Sequence, residues 1–138
     1  MSTDVLDDYK PSDDEEFMNP RQQMYFRDKL IAWKDELLAE SRETIVNLQK
    51  DSQNHPDIAD RASSETDRSI ELKARDRQRK LIAKIDSALG RIEDGSYGYC
   101  EETGDSIGVG RLEARPIATL SLEAQERHEK REKVHRDD

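Results

Sequence analysis

Hydrophobic residues recur at intervals of three and four along two long stretches of the chain. In the first, from about Pro20 to Gln49, the spaced positions are Phe26, Leu30, Trp33, Leu37, Thr44 and Leu48. In the second, from about Asp60 to Ile92, they are Ile70, Ala74, Leu81, Ile85, Ala88 and Ile92. A stripe this narrow is typical of a helix that is buried against one partner helix. The pattern therefore predicts two long helices that face each other.

The stretch between these helices is rich in residues that interrupt helices. Residues 50–56 include Asp, Ser, Asn and Pro, and Pro56 disfavours helical backbone at the residue before it. A connection this short makes the two helices antiparallel neighbours. The tip of the resulting hairpin lies near residues 51–62. Its two acids, Asp57 and Asp60, either cap the second helix or reach out into a partner.

The ends of the predicted helices carry recognisable signals. Asn19 is a capping residue and Pro20 suits the first helical position, while Gly95 favours a helix end after Asp94. Turn residues then dominate as far as position 120, and Ser121 is expected to cap a polar helix that ends near position 134. The predicted fold class is mainly α. Its segments are an acidic N-terminal segment (1–19), a coiled-coil hairpin (20–94), a small globular region (95–120) and a C-terminal helix and tail (121–138).

The amino-acid composition is consistent with long helices that pack along narrow apolar seams. Of the 138 residues, 40% are charged and 33% are hydrophobic, which suits either disorder or helices with narrow seams, and the periodicity favours helices. No apolar run approaches the roughly 18 residues of a membrane helix, and the acidic N-terminus is unlike a secretory signal. The single cysteine excludes an internal disulfide and suits a reducing compartment. We therefore expect a cytoplasmic protein with no membrane contact.

The formal charge of −9 is unevenly distributed. Residues 1–20 contain seven acids and one base, whereas residues 71–92 contain seven bases and three acids. An acidic chain argues against DNA as the main target, because phosphate neutralisation dominates such binding. The basic stretch suits a smaller anion or an acidic protein surface. A solvated helix face is the simpler alternative.

Several motifs, in order along the chain, resemble the DksA family of transcription factors. They are Phe17-Met18 followed by Gln23, Phe26, Leu30, Trp33 and Leu37; Pro56-Asp57 through Asp60-Arg61-Ala62; Arg75-Asp76-Arg77 with residues 79–85; Tyr97-Gly98-Tyr99-Cys100; and Ile107-Gly108 followed by residues 111–116. The resemblance extends from about Phe17 to Glu132 and agrees with the hairpin expected from the spacing.

The resemblance implies a regulator that binds RNA polymerase rather than a specific DNA sequence. In the family, the hairpin enters the secondary channel of the polymerase and destabilises open promoter complexes. Acting with the alarmone ppGpp, such factors inhibit ribosomal RNA promoters and activate some amino-acid biosynthesis promoters. The resemblance thus predicts a monomeric, non-enzymatic protein with RNA polymerase as partner and ppGpp as effector.

The family's functional positions can be carried onto this sequence by matching the motifs. Asp57, Asp60 and Ala62 are implied to be the tip residues that act near the polymerase active centre. The contact with polymerase and ppGpp is implied at Arg77, Leu81, Lys84 and Arg115. A basic family position in the last helix is occupied here by Gln125, which weakens the expected alarmone contact.

The sequence departs from the family at the zinc site, where the usual member has two Cys-x-x-Cys pairs. The corresponding positions here are Cys100, Thr103, Ser121 and Ala124. Because Thr, Ser and Ala cannot replace thiolate ligands, we expect no structural zinc. Packing is then expected to hold the globular region through Tyr97, Tyr99, Ile107, Val109, Leu112, Ile117 and Leu120. Cys100 itself is either a small packed residue, an idle thiol or a redox sensor.

Two other functions compete with this interpretation. In the first, the hairpin docks on RNA polymerase in the same way, but its tip acids help to hold a metal ion and stimulate transcript cleavage, as in the Gre-type channel factors. A structural coiled coil that dimerises through its seam would bind no polymerase. An enzyme is the least favoured alternative, since the sequence has no nucleophile–base set, phosphate loop or cluster of metal ligands.

Overall fold

A computed structural model describes residues 9–53 and 58–137, without the side chains of residues 48, 51–53, 58–64 and 135–137. Its helices are α1 (Pro20–Gln53), α2 (Ile58–Asp94), α3 (Val109–Ala114) and α4 (Leu122–Asp137). The chain divides into two compact units. We call Met1–Leu30 with Ser87–Asp138 the terminal unit and Ile31–Asp86 the hairpin unit. The division into the segments 1–19, 20–94, 95–120 and 121–138 stays a prediction.

Helix α1 begins where the sequence predicts. The side-chain oxygen of Asn19 accepts a hydrogen bond from the backbone N–H of Gln22 at 3.0 Å, and Pro20 occupies the first helical position. Both features satisfy or remove donors that a helix start leaves unpaired. The preceding Met18 has a left-handed backbone conformation, with φ of 54°.

The hairpin unit consists of antiparallel portions of α1 and α2. Lys34 Nζ lies 2.7 Å from Asp86 Oδ1, and seven residues later the Ser41 hydroxyl donates to Gln78 Oε1 at 3.0 Å. Later residues of α1 therefore meet earlier residues of α2, which defines the antiparallel direction. At 1.5 Å per residue, the 34-residue α1 is about 51 Å long and the 37-residue α2 about 56 Å.

Burial in the hairpin unit follows most of the predicted stripe. Leu37 and Ile85 are buried, and Trp33, Thr44, Ala74 and Leu81 are half-buried. The prediction for Ile70 is wrong, because this residue is 59% exposed. The adjacent end of α1 carries the exposed Gln49 and Lys50, and the side chain of Leu48, the last residue of the predicted stripe in α1, lies outside the described part.

The tip boundaries also differ from the predicted ones. Helix α1 continues to Gln53 rather than ending at Gln49, and α2 begins at Ile58 rather than Asp60. Ser, Asn and Asp only lower helix propensity, whereas proline excludes the helix outright, so residues 50–53 remain helical. Asp60 is the third residue of α2, and the expectation that it caps this helix is therefore wrong.

Helix α2 ends at a glycine, as predicted. Gly95 has φ of 86°, and the backbone N–H groups of Ser96 and Tyr97 donate to the carbonyl of Arg91 at 3.0 and 3.1 Å. The bond from Ser96 to Arg91 is the 6→1 hydrogen bond of a Schellman motif. The Ser96 backbone N–H also donates to the Asp94 carboxylate at 2.9 Å, and hydrogen bonds from the Ser96 hydroxyl and N–H lower the pKa of Asp94.

The terminal unit contains the larger core. Its buried side chains include Phe26, Leu30, Ala88, Ile92, Tyr97, Ile107, Val109, Leu112, Ile117 and Ala118. The rings of Phe26 and Tyr97 lie 5.7 Å apart between centroids. The Tyr97 hydroxyl donates to the Pro116 carbonyl at 2.7 Å, which satisfies a buried polar group. Burial raises the pKa of Tyr97.

Tyr99 is the exception among the residues expected to pack this core. Its side chain is 41% exposed, and its ring meets that of Phe17 edge-on with centroids 5.4 Å apart. Tyr99 lies at an isolated antiparallel bridge with Ser106. Gly98, with φ of 92°, interrupts regular strand alternation here, so that Tyr97 and Cys100 are buried while Tyr99 is exposed. Leu120, the last residue of the predicted set, is half-buried.

The segment that precedes α1 is fixed by a buried amide. Gln22 is fully buried. Its Oε1 accepts from the Met18 N–H at 2.8 Å, and its Nε2 donates to the Ser12 carbonyl at 3.2 Å. Arg21 lies 4.0 Å from the centroid of the Tyr9 ring. These contacts hold residues 9–18 against the start of α1.

A pair of matched glycine substitutions tests this packing. Gly98 has φ of +92°, and a Cβ there would lie 3.0 Å from Phe17 Cζ and 3.2 Å from Met18 Cγ. We expect Gly98→Ala to lower the free energy of unfolding by about 1–3 kcal/mol through backbone strain and displaced packing. The same change at Gly90, inside α2 with nothing within 4 Å, should raise it by about 1 kcal/mol. Urea denaturation measures the free energy of unfolding of both variants. A change in the same direction for both would contradict the structure.

Candidate functional site

The predicted tip residues Asp57, Asp60 and Ala62 lie in the part of the chain that the structure describes in least detail. Asp57 lies outside the described residues, and Asp60 and Ala62 are placed only as backbone positions in the first two turns of α2. A carboxylate in the first turn of a helix is favoured by the macrodipole, by about 0.3–1 kcal/mol at exposed positions. The role of these three residues stays a prediction.

The predicted contact residues on α2 share one face of the helix. Arg77, Leu81 and Lys84 are spaced by four and three residues, which places them on neighbouring turns. Arg77 and Lys84 are exposed, and Leu81 is half-buried towards the seam. An apolar residue between two exposed cations is suited to an acidic partner surface or to a phosphate-bearing ligand.

Asp76 engages two of the other bases on this stretch. Its carboxylate lies 2.6 Å from Arg79 Nη2 and 3.4 Å from Lys80 Nζ. The hydrogen bond and charge of Lys80, followed by those of Arg79, lower the pKa of the Asp76 carboxyl. Arg77 and Lys84 form no ion pair with any residue that the structure describes. The basic stretch is thus less uniform than its composition suggests: Arg79 and Lys80 pair with Asp76, whereas Arg77 and Lys84, like Lys73, Arg75 and Arg91, form no ion pair within the described part of the chain.

Arg115 and Gln125 belong to the terminal unit. Arg115 is exposed at the end of α3, where its backbone N–H donates to the Arg111 carbonyl at 2.8 Å. Gln125 is half-buried in α4, and its amide donates to Glu129 Oε1 at 3.2 Å. The Gln125 amide is therefore already engaged within its own helix.

The structure brings the four degenerate zinc positions together. Cys100 is 3% exposed and Ala124 is fully buried. Hydrogen bonds from the Thr103 hydroxyl, and further ones from the Thr103 N–H and from Ser121, lower the pKa of the Cys100 thiol to about 6 against the opposing effect of burial. Near neutral pH this favours the thiolate, although its burial restricts access by solution reagents.

These four residues do not fit a structural zinc ion. A tetrahedral structural site takes four ligands drawn from thiolate, imidazole and carboxylate groups. The positions here offer one thiol, two hydroxyls and a methyl group. Among the described residues, no group of three or more His, Cys, Asp and Glu side chains is arranged to hold a metal.

One cluster was not anticipated from the sequence. Glu113 Oε1 accepts hydrogen bonds from the Tyr25 hydroxyl and from Lys29 Nζ, the latter at 3.0 Å. Burial, followed by the Glu113 contact, raises the pKa of Tyr25 to about 12. Burial acts to raise the pKa of Glu113, but the bonds from Tyr25 and Lys29 outweigh it and lower that pKa. The spacing of Tyr25 and Lys29 shows a shared helix face, but no sequence signal points to a partner more than 80 residues away.

The fold and these positions define a class: proteins with an antiparallel helical hairpin and a second unit built around a degenerate metal-finger motif. Two family models match the chain. The N-terminal domain of DnaK suppressor protein DksA matches residues 22–92, and the prokaryotic dksA/traR C4-type zinc finger matches residues 95–130. The second description names four cysteines, of which this chain retains Cys100.

Similar proteins cover almost the whole chain. The RNA polymerase-binding transcription factor DksA of Caulobacter vibrioides is 72% identical over 131 residues, which are 95% of this chain and 92% of that protein. The protein of the same name from Escherichia coli K12 is 44% identical, over 93% of this chain and 85% of its own. The structure of transcription factor DksA2 from Pseudomonas aeruginosa matches with a TM-score of 0.81 and 41% identity, over 95% of this chain and 98% of that one.

The chain belongs to the DksA family. The predicted fold class, mainly α with an antiparallel helical hairpin and a C-terminal helix, is confirmed. Among the described residues, no helix has the length and apolar character needed to cross a membrane.

Proposed function

We propose that this protein is a transcription factor that binds RNA polymerase and regulates promoters without acting as an enzyme. The observation that carries the proposal is the 72% identity, over 95% of the chain, to a protein named RNA polymerase-binding transcription factor DksA. The antiparallel hairpin supports it, because two long paired helices can carry a few residues into a narrow opening.

The hairpin is the part that enters the polymerase in this proposal. It passes into the secondary channel and presents Asp57, Asp60 and Ala62 near the active centre. Carboxylates there contact mobile polymerase elements or alter the surroundings of the catalytic metal ions, which destabilises the open promoter complex. Ribosomal RNA promoters are inhibited in this proposal, and some amino-acid biosynthesis promoters are activated.

Arg77, Leu81, Lys84 and Arg115 form the proposed contact with polymerase and ppGpp. Guanidinium and ammonium groups bind phosphates through charge-assisted hydrogen bonds. The exposed, uncommitted side chains of Arg77 and Lys84 support this role. Gln125 is neutral and its amide is held by Glu129. It therefore binds the phosphates of an alarmone less strongly than a cationic side chain would.

We further propose a monomer that acts in the cytoplasm, where its polymerase partner works, and that makes no sequence-specific contact with DNA. The net charge of −9 supports the last point, because it repels the phosphate backbone at long range. We also propose that the protein has no cofactor and that ppGpp acts as an effector at the polymerase interface.

Transcription with purified components tests the function. The full chain is added to RNA polymerase from the same organism on a ribosomal RNA promoter, with and without ppGpp, and the lifetime of the open complex is measured. We expect a shorter lifetime with the protein and a further decrease with ppGpp. Cleavage of transcripts in stalled elongation complexes would instead support a Gre-like factor. A concentration-dependent dimer that leaves the open complex unchanged would support a structural coiled coil.

The alarmone contact makes a separate prediction. Lys84→Ala and Arg115→Ala are each expected to reduce the added effect of ppGpp by about tenfold, the size of one lost charge-assisted hydrogen bond. Polymerase binding without ppGpp should decrease less. Titration of ppGpp against open-complex lifetime gives the first quantity and a competition binding assay the second. Lys73→Ala, on the same helix and equally exposed, is the control, and equal losses in both assays would contradict the assignment.

A further inference from the structure

Two hydroxyl groups occupy positions at which the family's finger has cysteines, and each is oriented by the backbone. The Asp105 N–H donates to Thr103 Oγ1 at 3.2 Å, and the Ala124 N–H donates to Ser121 Oγ at 3.2 Å. Since each oxygen accepts a backbone bond, its own hydrogen is free to be donated. Both hydroxyls, and the backbone N–H groups of Thr103 and Ser121, lie near the Cys100 sulfur and act to lower the pKa of its thiol. Cys100 thus lies in a polar cluster with Thr103 and Ser121.

A second contact joins the same two segments outside this cluster. Glu102 lies in the turn between Cys100 and Thr103, and His128 lies one helical turn beyond Ala124. His128 Nε2 is 2.5 Å from Glu102 Oε1, across 26 residues of sequence. The Glu101 N–H donates to the Thr119 carbonyl at 2.9 Å, adding a backbone link just before α4.

Helix α4 has little apolar surface with which to dock. Among its residues with described side chains, Ala124 is the one that is buried, and Leu122 and Val134 are 58% and 59% exposed. A methyl group supplies only about 1 kcal/mol of burial. Polar contacts must therefore position this helix against the turn at residues 100–103.

We propose that a two-part polar clip performs in this chain the joining role of a zinc ion. Its inner part is the Cys100 sulfur with the hydroxyl and N–H donors of Thr103 and Ser121. Its outer part is the Glu102–His128 pair. A zinc ion would tie the turn to the start of α4 through four ligands; the clip ties the same two segments through hydrogen bonds. The proposal does not depend on the polymerase function.

A double-mutant cycle tests the outer part. Amide hydrogen exchange at Glu101, whose N–H bonds to Thr119, reports whether the turn stays joined to the segment before α4. We expect Glu102→Gln and His128→Gln each to speed this exchange about two- to fivefold, the range for the loss of one partly exposed polar contact. The double variant should exchange no faster than either single variant, because the contact can be lost only once.

Glu126→Gln is the matched control, since it removes the same charge from an exposed position of α4 and should leave the exchange unchanged. Additive effects of the two substitutions, or an equal effect of Glu126→Gln, would overturn the outer part of the clip. Additivity would mean that the two side chains act separately, and an equal control effect would mean that only net charge matters.

Metal binding tests the replacement itself. The native chain, expressed with added zinc, should retain none after gel filtration, and a chelator should not change its exchange rates. The variant Thr103→Cys/Ser121→Cys/Ala124→Cys should bind cobalt with the absorption of thiolate ligation. With zinc bound to it, adding Glu102→Gln should no longer speed exchange, because the metal joins the two segments. Stoichiometric zinc in the native chain, or unchanged sensitivity to Glu102→Gln in the zinc-loaded variant, would overturn the proposal.

Discussion

Asp60→Asn is expected to reduce the regulation of a ribosomal RNA promoter by at least about tenfold while leaving polymerase binding unchanged. Asparagine keeps the size of the side chain and much of its capacity for hydrogen bonding but removes the charge. A tenfold loss equals about 1.4 kcal/mol, within the range measured for one hydrogen bond to a charged group. The measurement is the lifetime of the open complex at a protein concentration that saturates the polymerase.

The helix boundary makes this substitution informative. Because Asp60 lies inside α2, the change removes no cap, and the macrodipole contribution is at most about 1 kcal/mol. Asp67→Asn, at an exposed position of the same helix, is the control for charge and should keep full regulation. Normal regulation by Asp60→Asn would mean that the charge of this residue has no role at the active centre. An equal loss in the control would mean that overall charge, rather than the tip, matters.

Phe26→Ala is expected to lower the free energy of unfolding by about 3–5 kcal/mol, the usual cost of truncating a buried aromatic ring. Phe26 is fully buried, and its ring lies 5.2 Å from that of Tyr25 and 5.7 Å from that of Tyr97. The change leaves a cavity between α1 and the residues that follow α2. Denaturant unfolding followed by circular dichroism measures the loss.

Met24→Ala is the matched control, two residues earlier on α1 and 48% exposed. It should change the free energy of unfolding by about 0.5 kcal/mol or less, as is usual for surface positions. Similar losses at positions 24 and 26 would contradict the assignment of the buried face of α1. A small loss at Phe26 alone would mean that the surrounding side chains close the cavity.

The sequence determined local features of the fold most reliably. The cap at Asn19, the helix end at Gly95 and the cap at Ser121 all depend on residues within a few positions of each other, and all three are confirmed. The antiparallel hairpin followed from two matching stripes and a short connection. These features require no knowledge of distant contacts.

The wrong predictions concern places where local rules compete with each other or with packing. Helix α1 continues through Asp51 and Ser52 after Gln49, because these residues lower helix propensity without ending a helix. Ile70 fits the spacing of the stripe but is exposed. Tyr99 lies in the motif that was expected to pack, yet it is 41% exposed because the left-handed backbone at Gly98 turns it away from the face that buries Tyr97.

Long-range polar contacts could not be predicted. The bonds from Tyr25 and Lys29 to Glu113 and the Glu102–His128 pair join residues with no shared periodicity. Charged residues are so frequent in this chain that many pairings are equally compatible with the sequence. The tip residues were identified by resemblance, and no physical pattern in the sequence distinguishes their function from helix capping.

The buried amide of Gln22 limits how far the chain can be shortened at its N-terminal end. Ser12, Glu15 and Met18 hold this side chain, so a protein beginning at Asn19 would lose these hydrogen bonds. Each internal hydrogen bond of this kind contributes about 0.5–1.5 kcal/mol of stability. Residues 9–18, which resemble a dispensable tail by composition, are therefore part of the packed structure at the start of α1.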